Sequence, residues 1–188
     1  MPRKTTPESS SSTPIRMLDQ ADIQAALLEV SEAARAAGRK VALAGGVALQ
    51  RLGSDRFTSN VDFIADAPIP GYPERLQLSF GGYGTTARNG VKVDLIIRDD
   101  AYRALYEEAL LYARVSADGV PIVSPEYLAA MKLVARRGKD RADLQFMIAA
   151  KAFDVPKARR IIARTLGAYA AEDFDAFVRV ARWEMRKG

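Results

Sequence analysis

The sequence predicts an α+β fold: a small mixed β-sheet with flanking helices, followed by a helical C-terminal half. Three features of the 188 residues point to it. Apolar runs of strand length (Lys40 to Ala44, Val61 to Ile64, Val91 to Ile97) all fall early in the chain. Glycine and proline clusters separate them from helical patterns. From Ser124 onward the strand patterns stop and four helical ones follow in succession. The boundaries drawn from this are a disordered polar tail over residues 1–14, a mixed core over 15–123 and a helical region over 124–188.

The tail is rich in Ser, Thr and Pro and has nothing to bury. Leu18 to Ala37 then spaces Ile23, Leu27, Leu28, Val30 and Ala34 at helical intervals, with Asp19 or Asp22 to start the helix and Gly38 to end it. Lys40 to Ala44 reads as a strand and leads into Gly45-Gly46. Val47 to Leu52 reads as a brief helix stopped by Gly53, and Ser54 to Asn60 as a polar loop. In the strand Val61 to Ile64, alternation puts Asp62 and Ile64 on one face. Leu76, Leu78 and Phe80 alternate and predict a strand. Gly81-Gly82-Tyr83-Gly84 reads as a hairpin connection rather than a phosphate-binding loop, because no helix start follows it. In Val91 to Ile97 the residues Val91, Val93, Leu95 and Ile97 share one face, and Lys92, Asp94 and Ile96 the other, which Arg98 extends. Asp99 or Asp100 can cap a helix to about Leu111, and Asp118-Gly119 predicts a hairpin between Ala113–Val115 and Val120–Val123. Ser124-Pro125-Glu126 has the order of a helix start, and the helix is expected to run to about Arg137 with Leu128, Met131, Leu133 and Val134 inward. Further helices are expected from Lys139, over Pro156 to Leu166 and over Ala171 to Met185.

Composition narrows the chemistry. The chain has no cysteine, so disulfides, thiolate nucleophiles and cysteine-ligated metals are excluded. It has no histidine, the commonest general base and imidazole ligand. What remains is carboxylates, lysine, arginine, hydroxyls and backbone amides, and a metal site built from carboxylates favours Mg²⁺ or Mn²⁺. The net charge of +5 is uneven: from Lys132 onward there are 14 Lys/Arg against 7 Asp/Glu, and before it 14 against 16. The basic third suits a polyanion such as RNA or a nucleotide phosphate, or else a set of solvated helix faces. No stretch reaches the roughly 18 apolar residues of a membrane span, and the N-terminus lacks a signal-peptide core. The expected location is the cytoplasm.

Two acids, Asp62 and Asp94, sit inside apolar strands. An unpaired carboxylate is costly to bury there. Each must face solvent, pair with a cation, or bind a metal. If their strands are neighbours, the two can hold divalent cations that stabilise charge at a transferring phosphoryl group. Gly45-Gly46 at a strand–helix junction adds free N–H groups and close backbone approach.

The run Gly45-Gly46-Val47-Ala48-Leu49, then Arg56-Phe57-Thr58-Ser59-Asn60-Val61-Asp62-Phe63, resembles the first motif of the polymerase-β-like nucleotidyltransferase superfamily. It looks closest to the AbiEii-type toxins and their relatives. A second block is similar to that group's lysine helix and its (Arg/Lys)-Asp-x-x-Asp-Leu motif: Pro125 to Arg136, with Lys132, then Lys139-Asp140-Arg141-Ala142-Asp143-Leu144. The resemblance implies a nucleotidyltransferase core over 15–123 and a set of roles. Gly45, Gly46, Arg56 and Thr58 would hold the nucleoside triphosphate. Asp62 and Asp94 would hold Mg²⁺ or Mn²⁺, with Asp94 also activating an acceptor hydroxyl. Lys132 would reach a phosphate. Asp140 and Asp143, three apart on a helix, would contact substrate or orient Lys132, or else cap the helix and pair with Arg136, Arg137 and Lys139. Lys132 and Arg136, four apart, would repel unless something anionic lies between them. Asn60 stands where the family carries its first Asp, and would offer the metal a carbonyl in place of a carboxylate. Val47 stands where many members carry a hydroxyl.

The function this implies is a metal-dependent, toxin-like transfer of a nucleoside monophosphate from an NTP to a hydroxyl on tRNA or a protein, with a cognate antitoxin as a candidate partner. Two alternatives stay open: a catalytically degenerate member that binds nucleotide or a partner, motivated by Asn60 and Val47, and an enzyme that modifies a small antibiotic.

Overall fold

The computed structural model describes residues 19–187; the tail expected over residues 1–14 lies outside them. The elements in chain order are α1 (Gln20–Ala36), β1 (Val41–Ala44), α2 (Gly45–Gln50), β2 (Val61–Ala65), β3 (Leu76–Gln77), β4 (Tyr83–Thr86), β5 (Lys92–Ile96), α3 (Arg103–Leu111), β6 (Arg114–Val115), β7 (Pro121–Ile122), α4 (Pro125–Ala135), α5 (Gly138–Ala149), α6 (Val155–Leu166) and α7 (Ala168–Met185). The expected α+β class holds: the seven strands form one mixed sheet in the order β3-β4-β5-β2-β1-β7-β6, and four helices follow it.

The centre of the sheet positions the site. β1 is buried at all four residues and pairs antiparallel with β2, which sets Ala44 opposite Asp62. β2 pairs parallel with β5 in a register that sets Asp62 opposite Asp94. Parallel neighbours need a long crossover, and the segment between them supplies it with the β3–β4 hairpin. α1 lies over β1 and β2 and buries Ile23, Ala26, Leu27, Val30 and Ala34. Asp19 caps it, its carboxylate accepting from the Ala21 N–H at 3.1 Å.

Several boundaries move for local reasons. The strand expected over Leu76 to Phe80 shrinks to Leu76–Gln77 at the sheet edge, with Leu76 exposed. The chain then turns, Gly81 N–H donating to Leu78 O at 3.1 Å and Leu78 N–H to Gly82 O at 3.0 Å. The glycine run is therefore a hairpin connection. It continues into β4, a strand that its Tyr-Gly-Thr-Thr sequence does not advertise. Gly82 (φ +84°) lies so close to β5 that a Cβ would sit 2.0 Å from the Leu95 carbonyl oxygen. α3 starts later than a cap at Asp99 or Asp100 predicts; Asp100 instead closes the preceding turn by accepting from Tyr102 N–H at 3.0 Å. The Asp118-Gly119 hairpin forms as expected between β6 and β7. α7 begins three residues before the expected Ala171.

The corner between α4 and α5 matters most. Ser124 is the N-cap of α4 and Pro125 its first residue, but the Ser124 hydroxyl donates to Glu126 at 2.8 Å rather than capping the backbone. The helix ends at Ala135 because Arg136 adopts a left-handed conformation (φ +51°). Arg136 therefore leaves the helical register in which it would repel Lys132, and its guanidinium pairs with Asp173 of α7 at 2.8 Å. α5 starts two residues later and folds back against α4. No helix of the described residues is long and apolar enough to cross a membrane.

Candidate functional site

The register of β2 and β5 brings Asp62 and Asp94 side by side on one face of the sheet. Their side chains line a cleft of about 490 Å³ between the sheet, α3 and the α4–α5 corner. Burial pushes the Asp62 carboxyl above the usual carboxylate range, against the Lys132 charge, the Gly46 N–H and the Asn60 amide, which favour its ionised form. Burial also raises Asp94, and the neighbouring Asp62 charge raises it further. Neither acid forms an ion pair within 4.0 Å among the described residues, although the longer-range charges of Lys132 at Asp62 and of Lys139 at both favour ionisation.

Asn60 fills the space between them. Its amide nitrogen donates to Asp62 Oδ1 at 2.9 Å and to Asp94 Oδ2 at 2.7 Å. Its carbonyl oxygen is turned toward the Thr58 hydroxyl at 3.5 Å. Asn60 thus presents a donor, rather than its carbonyl oxygen, to the two acids. The physical reason is that two adjacent carboxylates repel, and an NH₂ group satisfies one oxygen of each.

The glycine pair and Thr58 act first as the seat for Asp62. Gly45 has φ +63°, and a Cβ there would lie 1.8 Å from Asp62 Oδ2. The backbone N–H of Gly46 favours the ionised form of Asp62. A Cβ on Gly46 would meet Thr58 at 3.0 Å. Thr58 is buried, and its hydroxyl donates to the backbone carbonyl of Asn60 at 2.9 Å, which fixes the turn into β2.

The second block forms one buried ion network. Lys132 is 5 % exposed, with its Nζ 3.0 Å from Asp140 and 2.7 Å from Asp143. Arg56 pairs with Asp143. Arg137 pairs with Asp140 at 2.7 Å, and the Arg137 N–H donates to the same carboxylate at 3.1 Å in a capping arrangement. Asp140 thus caps α5 and holds Lys132 at once. Burial opposes its ionisation, yet Arg137 and Lys132 outweigh that and hold its carboxyl below the usual range. The Lys132 ammonium is already paired with two carboxylates.

The cleft also holds residues that sequence reasoning did not select. Arg98 lies beyond Ile96 on the Asp94 face of β5 and packs its guanidinium over Tyr102 and Tyr106, 4.9 and 5.4 Å from the ring centres. It also donates to the Phe80 carbonyl and pairs with Asp100. The two-residue period from Asp94 was the signal that could have found it. Lys139, the basic position of the second block's motif and a candidate partner for its acids, lines the cleft from the first turn of α5.

The donors fit a hard divalent cation in part. Two adjacent carboxylates, each raised by burial, suit Mg²⁺ or Mn²⁺. Half a turn of the Asn60 amide would exchange its donor for a carbonyl oxygen. Among the described residues no cluster of three or more acidic, His or Cys side chains exists to hold a metal, so the site has two anionic ligands rather than three.

No family model matches the sequence, and no curated protein matches it either. Similar solved structures are distant. One is an antigenic nucleotidyltransferase-like protein from Paracoccidioides brasiliensis, 16 % identical over 86 % of this chain and 94 % of that one, with a TM-score of 0.47. Another is the antibiotic-resistance factor ANT(2'')-Ia in solution, 16 % identical over 90 % and 97 %, with a TM-score of 0.43. The same protein in complex with adenylyl-2''-tobramycin is 16 % identical over 87 % and 98 %, with a TM-score of 0.41. At these scores the likenesses carry nothing about the chemistry of this chain.

Proposed function

We propose that this chain is a metal-dependent, toxin-like nucleotidyltransferase that moves a nucleoside monophosphate from an NTP to a hydroxyl on tRNA or a protein. One observation carries the reading: Asp62 and Asp94 stand in register on neighbouring strands, in a cleft, with only hydrogen-bond donors in direct contact and no ion pair. Partly buried carboxylates without an ion-paired cation carry a desolvation cost, and a bound cation with its phosphate ligand would relieve it. A divalent cation held by Asp62 and Asp94 would supply charge neutralisation at the transferred phosphoryl group.

The residues of the chain would do the rest. The raised carboxyl of Asp94 suits it to accept the proton as the acceptor oxygen bonds to the α-phosphorus. The bond from that phosphorus to the pyrophosphate oxygen breaks, and pyrophosphate leaves. Gly45 admits Asp62 to its position. Lys132, locked by Asp140 and Asp143, is a positioning residue that fixes the α4–α5 corner against the loop bearing Arg56. The basic C-terminal third, in which α6 carries four basic residues and no acid, would dock the acceptor, and the toxin-like reading adds a cytoplasmic location and a cognate antitoxin.

The Asn60 amide favours a second reading. A donor between the two acids is how a member of this fold that binds nucleotide or a partner without turnover would stabilise itself. Incubation with each labelled NTP, Mg²⁺ or Mn²⁺ and total RNA or protein separates the two. Label transfer that disappears in Asp62→Ala and Asp94→Ala is the expected result. Nucleotide binding with no transfer under any NTP or metal would sink the enzyme and leave the binder.

A further inference from the structure

Five cationic side chains line the cleft: Arg56, Arg98, Lys132, Arg137 and Lys139. Four of them are paired, Arg56 with Asp143, Arg98 with Asp100, Lys132 with Asp140 and Asp143, and Arg137 with Asp140. Lys139 alone of the five has no hydrogen-bond or ion-pair partner among the described residues. Its backbone is fixed, because the Arg137–Asp140 capping arrangement closes the helix turn on which it sits. Its head is exposed and carries three donors on a flexible stem. Its charge reaches Asp62 and Asp94, favouring the ionised form of both.

We propose that Lys139, rather than Lys132, is the residue that contacts the donor triphosphate and neutralises the departing pyrophosphate. This rests on the nucleotidyltransferase reading above. The charge balance supports it. A divalent cation would offset the two carboxylates, every cation of the Lys132 network already touches a carboxylate, and Lys139 is the one cationic side chain of the cleft, among the described residues, with no carboxylate in contact. A lysine suits this task as a point charge that can follow a leaving group. As the phosphorus–oxygen bond to pyrophosphate breaks, negative charge grows on the bridging oxygen, and an ammonium at the cleft mouth stabilises it more than it stabilises the bound donor.

The test is calorimetric titration of the full-length chain with Mg²⁺ and each of the four NTPs, and separately with Mg²⁺ and inorganic pyrophosphate. Lys139→Gln should weaken both the NTP that binds and pyrophosphate by about tenfold or more and leave the thermal midpoint unchanged. Lys139→Arg should stay within about threefold of the wild type, because it keeps the charge. A Lys139→Gln protein that binds pyrophosphate as tightly as the wild type overturns the assignment while leaving the nucleotidyltransferase reading intact. A wild-type chain that binds neither probe removes that reading, and this assignment with it.

Discussion

Two pairs of aspartates lie along the site, and the cations around them are divided unequally. Asp140 and Asp143 have Lys132, Arg137 and Arg56 in contact. Asp62 and Asp94 have the Asn60 amide in contact and, among the described residues, no ion-paired cation. Burial acts on members of both pairs in the same direction, yet Asp140 ends below the usual carboxylate range and Asp62 and Asp94 end above it. The difference is the presence of ion-paired neighbours. The first pair is neutralised in place and holds the α4–α5 corner. The second retains a deficit of positive charge, which marks it as the pair available to a ligand.

The strongest way to break this contrast is to strip the paired centre. Lys132→Met leaves two nearly inaccessible carboxylates without their shared partner. Removing one member of a buried ion pair costs about 3–5 kcal/mol. The expected outcome is a large fall in the denaturant midpoint. A drop below about 1 kcal/mol, the scale of an exposed pair, would show that the network is solvated and that Lys132 is available to phosphate after all.

Gly45→Ala attacks the other pair through its seat. The new Cβ would fall 1.8 Å from Asp62 Oδ2 at a left-handed backbone position. Overpacking and backbone strain together suggest about 3 kcal/mol of destabilisation. Because Asp62 must move, calorimetry should also record a loss of Mn²⁺ affinity. Gly53→Ala, at a left-handed position with open space around it, is the control: it shares the strain but not the clash, so its metal affinity should be unchanged.

Asn60→Asp sharpens the comparison by worsening the deficit. A third carboxylate replaces the amide that bridges the other two. Without metal the variant should be less stable than the wild type, and Mn²⁺ should bind about tenfold tighter, equivalent to about 1.4 kcal/mol. Unchanged Mn²⁺ affinity would place the cation away from Asn60.

How much of this was legible in the sequence depends on the range of the interaction. α1 with its Asp19 cap, the central strands and the Asp118-Gly119 hairpin are set by neighbours a few residues away, and period and turn chemistry expose them. The Leu76–Phe80 alternation misled because it sits at a sheet edge, where nothing requires an apolar face to be buried. Asp62 and Asp94 could be selected as costly strand acids, but their register is a property of two strands about thirty residues apart. The resemblance assigns Lys132 to a phosphate and leaves Asp140 and Asp143 either to substrate or to orienting it, and helical spacing alone does not decide between the two. The left-handed turn at Arg136 is what delivers Asp140 and Asp143 to Lys132, eight and eleven residues on. The orientation of the Asn60 amide depends on which groups surround it, and no local pattern carries that.

The smallest expected effect concerns the pH dependence of the deficient pair. Folded Asp62 has its carboxyl raised above the unfolded value near 3.8. The protonated group therefore contributes stability that is fully present below that value and is lost as pH rises through the folded one. Asp118, held below its ordinary value by Arg51, and Glu108, held down by Arg164, act in the opposite sense. They lose stability as pH falls, so a raw pH profile mixes the two. The difference between Asp62→Asn and the wild type isolates the first effect. In the absence of divalent cations, Asp62→Asn should gain on the wild type as pH rises from the unfolded value toward neutrality. Saturating Mn²⁺ should reverse the order, since the cation stabilises only the protein that keeps the carboxylate. A difference that stays flat with pH would mean that Asn60 and the Gly46 N–H already compensate Asp62 in full, and the distinction between the two pairs would disappear.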